Sequence, residues 1–228
     1  MDERTCVDGS QREYERAESE TFLVIQRDTG SRFDTEYLMD DSARFGDAPT
    51  CESCGEFIGM REWLPPFDAE IRCYGSEFGD LAFFHEADFV VSERFARLLE
   101  SSKLTGLSTT DPITVTRVIG RRVQGKRTPT YFRAQVTRSS AAVDEQHSSI
   151  IRSGPVTCPV CRANGIEAVS GFALEKGTWS GEDVFAARGM PGIVVATERF
   201  REFVLDHDLS NITFVSIAEY RWPPRRHA

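Results

Sequence analysis

Two stretches of the chain carry the same order of apolar and polar positions. In "DFVVSERFARLLESSKLTGL", which begins at Asp88, the apolar run Phe89, Val90 and Val91 ends at Ser92. Phe95, Leu98 and Leu99 then recur at i, i+3 and i+4, the spacing of one helix face. Ser92 stands where an N-cap belongs, because its hydroxyl can accept from an unpaired N–H of the first turn. In "GIVVATERFREFVLDHDLSNITF", from Gly192, Val194 and Val195 end a strand and Thr197 takes the cap. Phe200, Phe203 and Val204 form the matching face, and Leu209 and Ile212 answer to Leu104 and Leu107. The pattern predicts two equivalent strand–helix–strand units whose caps lie 105 positions apart (92 to 197).

The remaining pattern is less repetitive. "TFLVIQ" (21–26) predicts a buried strand, and "RDTGSR" a turn after it. Residues 34–50, "DTEYLMDDSARFGDAPT", are acidic and read as loop, while Pro65-Pro66 excludes a continuous helix beyond them. "TVTRVI" and "YFRAQV" alternate at period two around "GKRTPT", which predicts a solvated β-hairpin.

Four cysteines follow the same repeat. "CESCG" (51–55) and "CPVC" (158–161) are CxxC pairs 107 positions apart (51 to 158), close to the offset of the caps. A CxxC turn aims two thiolates at one point, and two such turns supply the four soft ligands of a tetrahedral zinc. Gly55 permits the left-handed backbone that completes such a knuckle. Cys51, Cys54, Cys158 and Cys161 are therefore expected to hold one zinc. A thioredoxin-like redox pair, two disulfides or plain buried thiols are the alternatives; a redox pair would be a single motif at a helix start. Cys6 and Cys73 have no partner at ligand spacing.

The expected fold class is α+β with two similar halves from an internal duplication. Each half is a zinc knuckle plus strand–helix–strand, and a structural Zn(Cys)4 site joins them. The expected divisions are an acidic N-terminal segment with one strand (1–48), a first knuckle-containing half (49–118), a basic β-hairpin connector (119–154) and a second half (155–228).

Charge sharpens this picture. The net charge is −9, yet residues 1–100 hold 24 Asp and Glu against 10 Lys and Arg, a balance of −14. Residues 116–138 hold seven basic residues and no acid. An acidic body repels nucleic acid and attracts a basic protein. Tyr131 and Phe132 beside arginines leave open a second reading, a zinc-ribbon-like nucleic-acid-binding or regulatory protein. With no apolar N-terminal run and no span-length apolar stretch, a soluble cytoplasmic protein is expected.

The histidines are His85, His147, His207 and His227, and no HExxH, GxSxG or phosphate loop occurs. Four thiolates would leave a zinc no open position, so the metal reads as structural. No active site stands out, although an enzyme built from scattered acids is a third possibility.

"CESCG", "FGD" at 78–80 and "VVATERFREFV" resemble the double-CXXCG family of myxobacterial immunity proteins. The second knuckle departs from that motif, with Arg162 where glycine is expected and a glycine only at Gly165. The resemblance implies a non-catalytic immunity protein that binds and neutralises a cognate toxin on a zinc-stabilised scaffold. If the toxin is basic, the acidic stretch Asp34, Glu36, Asp40 and Asp41 is the expected contact surface.

Overall fold

The computed structural model describes residues 20–85 and 88–223, and within them the chain is mixed α+β, mostly sheet with two helices. It runs through β1 (Phe22–Gln26), β2 (Thr35–Met39), β3 (Arg44–Phe45), β4 (Trp63–Leu64) and β5 (Asp68–Cys73). β6 (Leu81–His85) and β7 (Asp88–Ser92) lead into α1 (Glu93–Ser101), followed by β8 (Leu107–Pro112) and β9 (Thr114–Ile119). Next come β10 (Tyr131–Ala142), β11 (Ile150–Arg152), β12 (Ile166–Ser170) and β13 (Val184–Arg188). β14 (Val194–Thr197), α2 (Glu198–Asp206), β15 (Thr213–Ser216) and β16 (Arg221–Trp222) complete it.

One 11-stranded sheet dominates, in the order β15-β1-β14-β13-β10-β7-β6-β2-β5-β9, with β8 also paired to β10. Its central strands are apolar on both faces, so successive side chains enter different cores. Ile25, Phe89, Val91, Val194 and Ala196 pack under the two helices, against Phe95, Leu99, Phe200 and Val204. Val24 and Val195, one position along, face the other way onto Phe185, Met190 and Tyr220. Val90 joins a third core with Tyr37, Trp63 and Ile71. The helices meet through Phe95, whose ring centroid lies 6.5 Å from that of Phe200 and 6.0 Å from that of Phe203.

Both caps form as the spacing predicts: Ser92 Oγ accepts from Phe95 N at 3.2 Å and Thr197 Oγ1 from Phe200 N at 3.4 Å. The surroundings also correspond. β7 pairs antiparallel with β6, as β14 does with β13. β10 starts opposite Ser92 and continues onto β8, whereas β1 starts opposite Thr197 and continues onto β15.

Two expectations are corrected. The stretch 34–50 is not all loop, because Thr35–Met39 forms β2 between β5 and β6. Its polar residues hid a strand whose Thr35 and Tyr37 point inward. "TVTRVI" and "YFRAQV" do form strands, β9 and β10, but they do not pair with each other. β9 runs parallel to β5, while β10 pairs with β7, β8 and β13 inside the large sheet. Period two identified the strands, and burial elsewhere chose their neighbours.

Candidate metal centre

Each cysteine pair sits at the tip of a β-ribbon. The first ribbon is an arm, 44–64, rooted by β3 and β4. Trp63 at its root is buried, stacks on Tyr37 at a centroid distance of 5.9 Å and meets Phe67 edge-on. Toward the tip, Ile58 N donates to Pro49 O and Cys51 N to Glu56 O, both within 2.9 Å. The second ribbon is β11 and β12, closed by Ser153 N donating to Gly165 O at 2.9 Å.

The two tips make the same turn. Gly55 N donates to Cys51 O at 2.8 Å, and Arg162 N to Cys158 O at 3.0 Å. Gly55 has φ of 77° and Arg162 has φ of 54°. Arg162 thus adopts the left-handed conformation that glycine supplies in the first knuckle. It is held there by donating to Val143 O at 2.7 Å and by an ion pair with Glu175.

The tips converge. Sγ of Cys51 and Cys158 lie 3.9 Å apart, those of Cys54 and Cys161 3.6 Å, and all four fall within 4.8 Å of one another. These separations are far beyond a disulfide bond of about 2.05 Å. A zinc tetrahedron with bonds of about 2.3 Å has sulfur–sulfur edges of about 3.8 Å. The donor set fits a soft divalent metal in charge, number and spacing. Three of the thiols are buried, with Ile58 and Ala163 packed beside them, and Cys54 is exposed.

Proton affinities are spread across the cluster. The backbone N–H of Cys161, helped by that of Val160, outweighs desolvation and holds the Cys158 thiol down to about 6. The backbone N–H of Glu56 lowers Cys54, but desolvation and its hydrogen bonds to Cys158, Cys161 and Cys51 carry it up to about 12. Desolvation raises Cys161. A metal bound by all four sulfurs would displace the protons that remain, since its ligands must be thiolates.

The four acids expected to face a partner differ in exposure. Asp34 is 3% exposed, accepts from Gly30 N at 2.7 Å and lies 3.4 Å from Arg27. Glu36 is paired with Arg27 and accepts from Tyr74 Oη at 2.9 Å. Asp40 is lowered by the backbone and hydroxyl of Ser42, which cap it in a turn. Asp41 stands exposed. The stacking idea for Tyr131 is also corrected: its ring is fully buried and its hydroxyl donates to Gly79 O at 2.8 Å. His207 ends α2 exposed, with its ring on Phe203, and His147 pairs with Asp144. Cys6 and His227 lie outside the described residues.

Two carboxylates escaped the sequence reading. Asp80 accepts from Ser92 Oγ at 2.7 Å and Arg94 at 2.9 Å, and from Ser210 N and Oγ at 3.1 and 2.9 Å. Asp183 accepts from Thr197 Oγ1 at 3.3 Å, Arg199 at 3.1 Å and Thr105 N at 2.8 Å. Each acid therefore ties its own helix cap to the loop after the other helix. Arg94 continues to Asp208 O and His207 O, and Arg199 to Lys103 O. The signal was present in "FGD" and "GED", an acid 12 and 14 residues before the cap.

These features define an α+β scaffold whose two cysteine ribbons meet in one cluster that could hold a metal, with all four thiols directed into it. The Imm11 immunity protein family matches residues 23–219, from β1 to just beyond β15, and the chain belongs to that family. No curated protein matches it.

Proposed function

We propose that the protein protects its cell by binding a cognate antibacterial toxin in the cytoplasm and neutralising it without chemistry of its own. The observation that carries this reading is membership of the immunity family across residues 23–219. One zinc, held by Cys51, Cys54, Cys158 and Cys161, would pin the scaffold; four thiolates leave it no open position for water or substrate. Its role is to fix the arm 44–64 against the second ribbon. The acidic body would draw in a basic toxin, with Asp40 and Asp41 the part of the acidic stretch still open to it. No helix among the described residues is long and apolar enough to cross a membrane.

The scaffold itself reads as a duplication in which each half lends its first strand to the other, β1 to β14 and β15, and β10 to β7 and β8. The matched caps, carboxylates and cysteine ribbons support it. An experimental structure in which α1 and α2 fail to superpose when the knuckles are overlaid would end this reading.

The functional test is co-expression with the toxin encoded beside the gene. Protection and a stable complex are expected. Cells that die as fast with the protein as without it would refute the reading.

A further inference from the structure

A groove of about 1040 Å³ runs between the arm and the strands β10 and β13. It lies at the upper end of the roughly 300–1,000 Å³ of most small-molecule sites and is partly open to solvent. Met60 from the arm is 65% exposed and Val160 from the second knuckle 50% exposed, and both line the groove.

The sheet wall of the groove is basic, with Arg133, Arg138 and Arg188 and no acid from β10 or β13. Arg138 rises from β10 to the arm, where a Cβ on Gly59 would lie 3.0 Å from its guanidinium. Arg188 from β13 donates to Ser140 O at 2.8 Å and Val160 O at 2.9 Å. Neither has a carboxylate partner among the described residues. Carbonyl oxygens orient Arg188 without neutralising it, so both guanidiniums keep the capacity for a charge-assisted bond. Arg133 is different, since Asp111 lies 3.6 Å away and Phe67 covers its face. The arm side carries Asp47, Glu52 and Glu62 together with Arg61, which donates to Gly46 O and Phe45 O. A nucleic acid would set phosphates against those acids all along the groove, whereas a peptide meets opposite walls with different side chains.

We propose that this groove receives an extended acidic and aliphatic segment of the toxin. One carboxylate faces Arg138, a second faces Arg188, and an aliphatic side chain packs on the exposed apolar lining that Met60 and Val160 supply. The proposal rests on the immunity reading and names the surface that reading leaves open. The acidic body acts on the toxin at long range, and the groove seats one segment of it.

The test uses the full-length, metal-loaded protein and its variants Arg138→Glu and Met60→Asp, both at exposed positions. Binding of the neighbouring gene's toxin should weaken by about tenfold or more in each, as for loss of a desolvated interface charge pair. Zinc content and melting temperature should stay at the wild-type values. Unchanged affinity would overturn the groove assignment while leaving the immunity reading intact. Should the wild type not bind that toxin at all, the immunity reading falls, and a second arm still decides the groove. In that arm, random 12-residue peptides displayed on phage are selected against the wild type and counter-screened on Arg138→Glu. Enrichment of acidic–aliphatic peptides that fail on Arg138→Glu supports the proposal. Enrichment of basic peptides, indifference to the substitution, or tighter capture of a labelled 12-nucleotide oligo(U) by the groove overturns it.

Discussion

Gly55 and Arg162 make one turn with two chemistries. At Gly55 an added Cβ would meet nothing within 4 Å, so substitution there costs only backbone strain. Gly55→Ala should lose about 1 kcal/mol, the usual penalty for an L-residue in left-handed backbone. Arg162 already carries that strain and offsets it through Val143 O and Glu175. Arg162→Ala and Arg162→Gly lose the same contacts but differ in backbone freedom. Arg162→Ala should therefore unfold more easily than Arg162→Gly by about 1 kcal/mol. Urea denaturation of the metal-loaded variants measures the difference; equal stabilities would mean that the turn relaxes out of the left-handed region. The "CxxCG" motif was legible here, yet the tolerance of arginine was not, because its anchors lie 19 and 13 residues away.

Helices α1 and α2 are each nine residues long, too short to persist by themselves in water. Their phenylalanine faces and caps were readable from local spacing. What orients them is the reciprocal pair Asp80 and Asp183. Asp183 has no exposure, and an asparagine there would turn N–H groups toward Thr105 N–H and leave Arg199 without its counter-charge. Asp183→Asn should destabilise by roughly 2–4 kcal/mol, as for other broken buried charge networks. Arg97→Ala, which removes an exposed pair with Glu93, should change stability by no more than about 0.5 kcal/mol. Thermal melts that place the two variants together would show that the buried acids do not couple the helices. The failed hairpin belongs to this scale too. Alternation reveals that β9 and β10 are strands, but pairing is decided by which edges are free after the core closes.

For the whole molecule the cysteine cluster joins residues 107 positions apart. Cross-linking a loop of about a hundred residues removes on the order of 4–5 kcal/mol of unfolded-chain entropy. A metal that binds only the folded form adds stability by mass action. Elemental analysis should find one zinc per chain, and Cys158→Ser with Cys161→Ser should abolish it. Chelation should lower the unfolding midpoint of the entire chain and speed hydrogen exchange in the arm, residues 46–62. Loss of metal with no shift in the midpoint would show that the cluster is not a structural tie.

What the sequence determined by itself was local or periodic. Strand and helix faces, both caps, and the four cysteines with their paired spacing all follow from residues within a few positions of each other or from a near-equal recurrence. The convergence of the four sulfurs was also legible, because two half-sites need one another to complete a shell. Only the tertiary structure decided where β2, β9 and β10 pair, that Asp34 and Tyr131 turn inward, and that Asp80 reaches Ser210, 130 residues away. Burial and hydrogen-bond satisfaction settle those questions, and both depend on neighbours that chain order does not name. The arginine groove has the same origin: Arg138 and Arg188 lie in strands far apart in the chain, which the pairing of β10 with β13 makes neighbours and the arm walls into a groove.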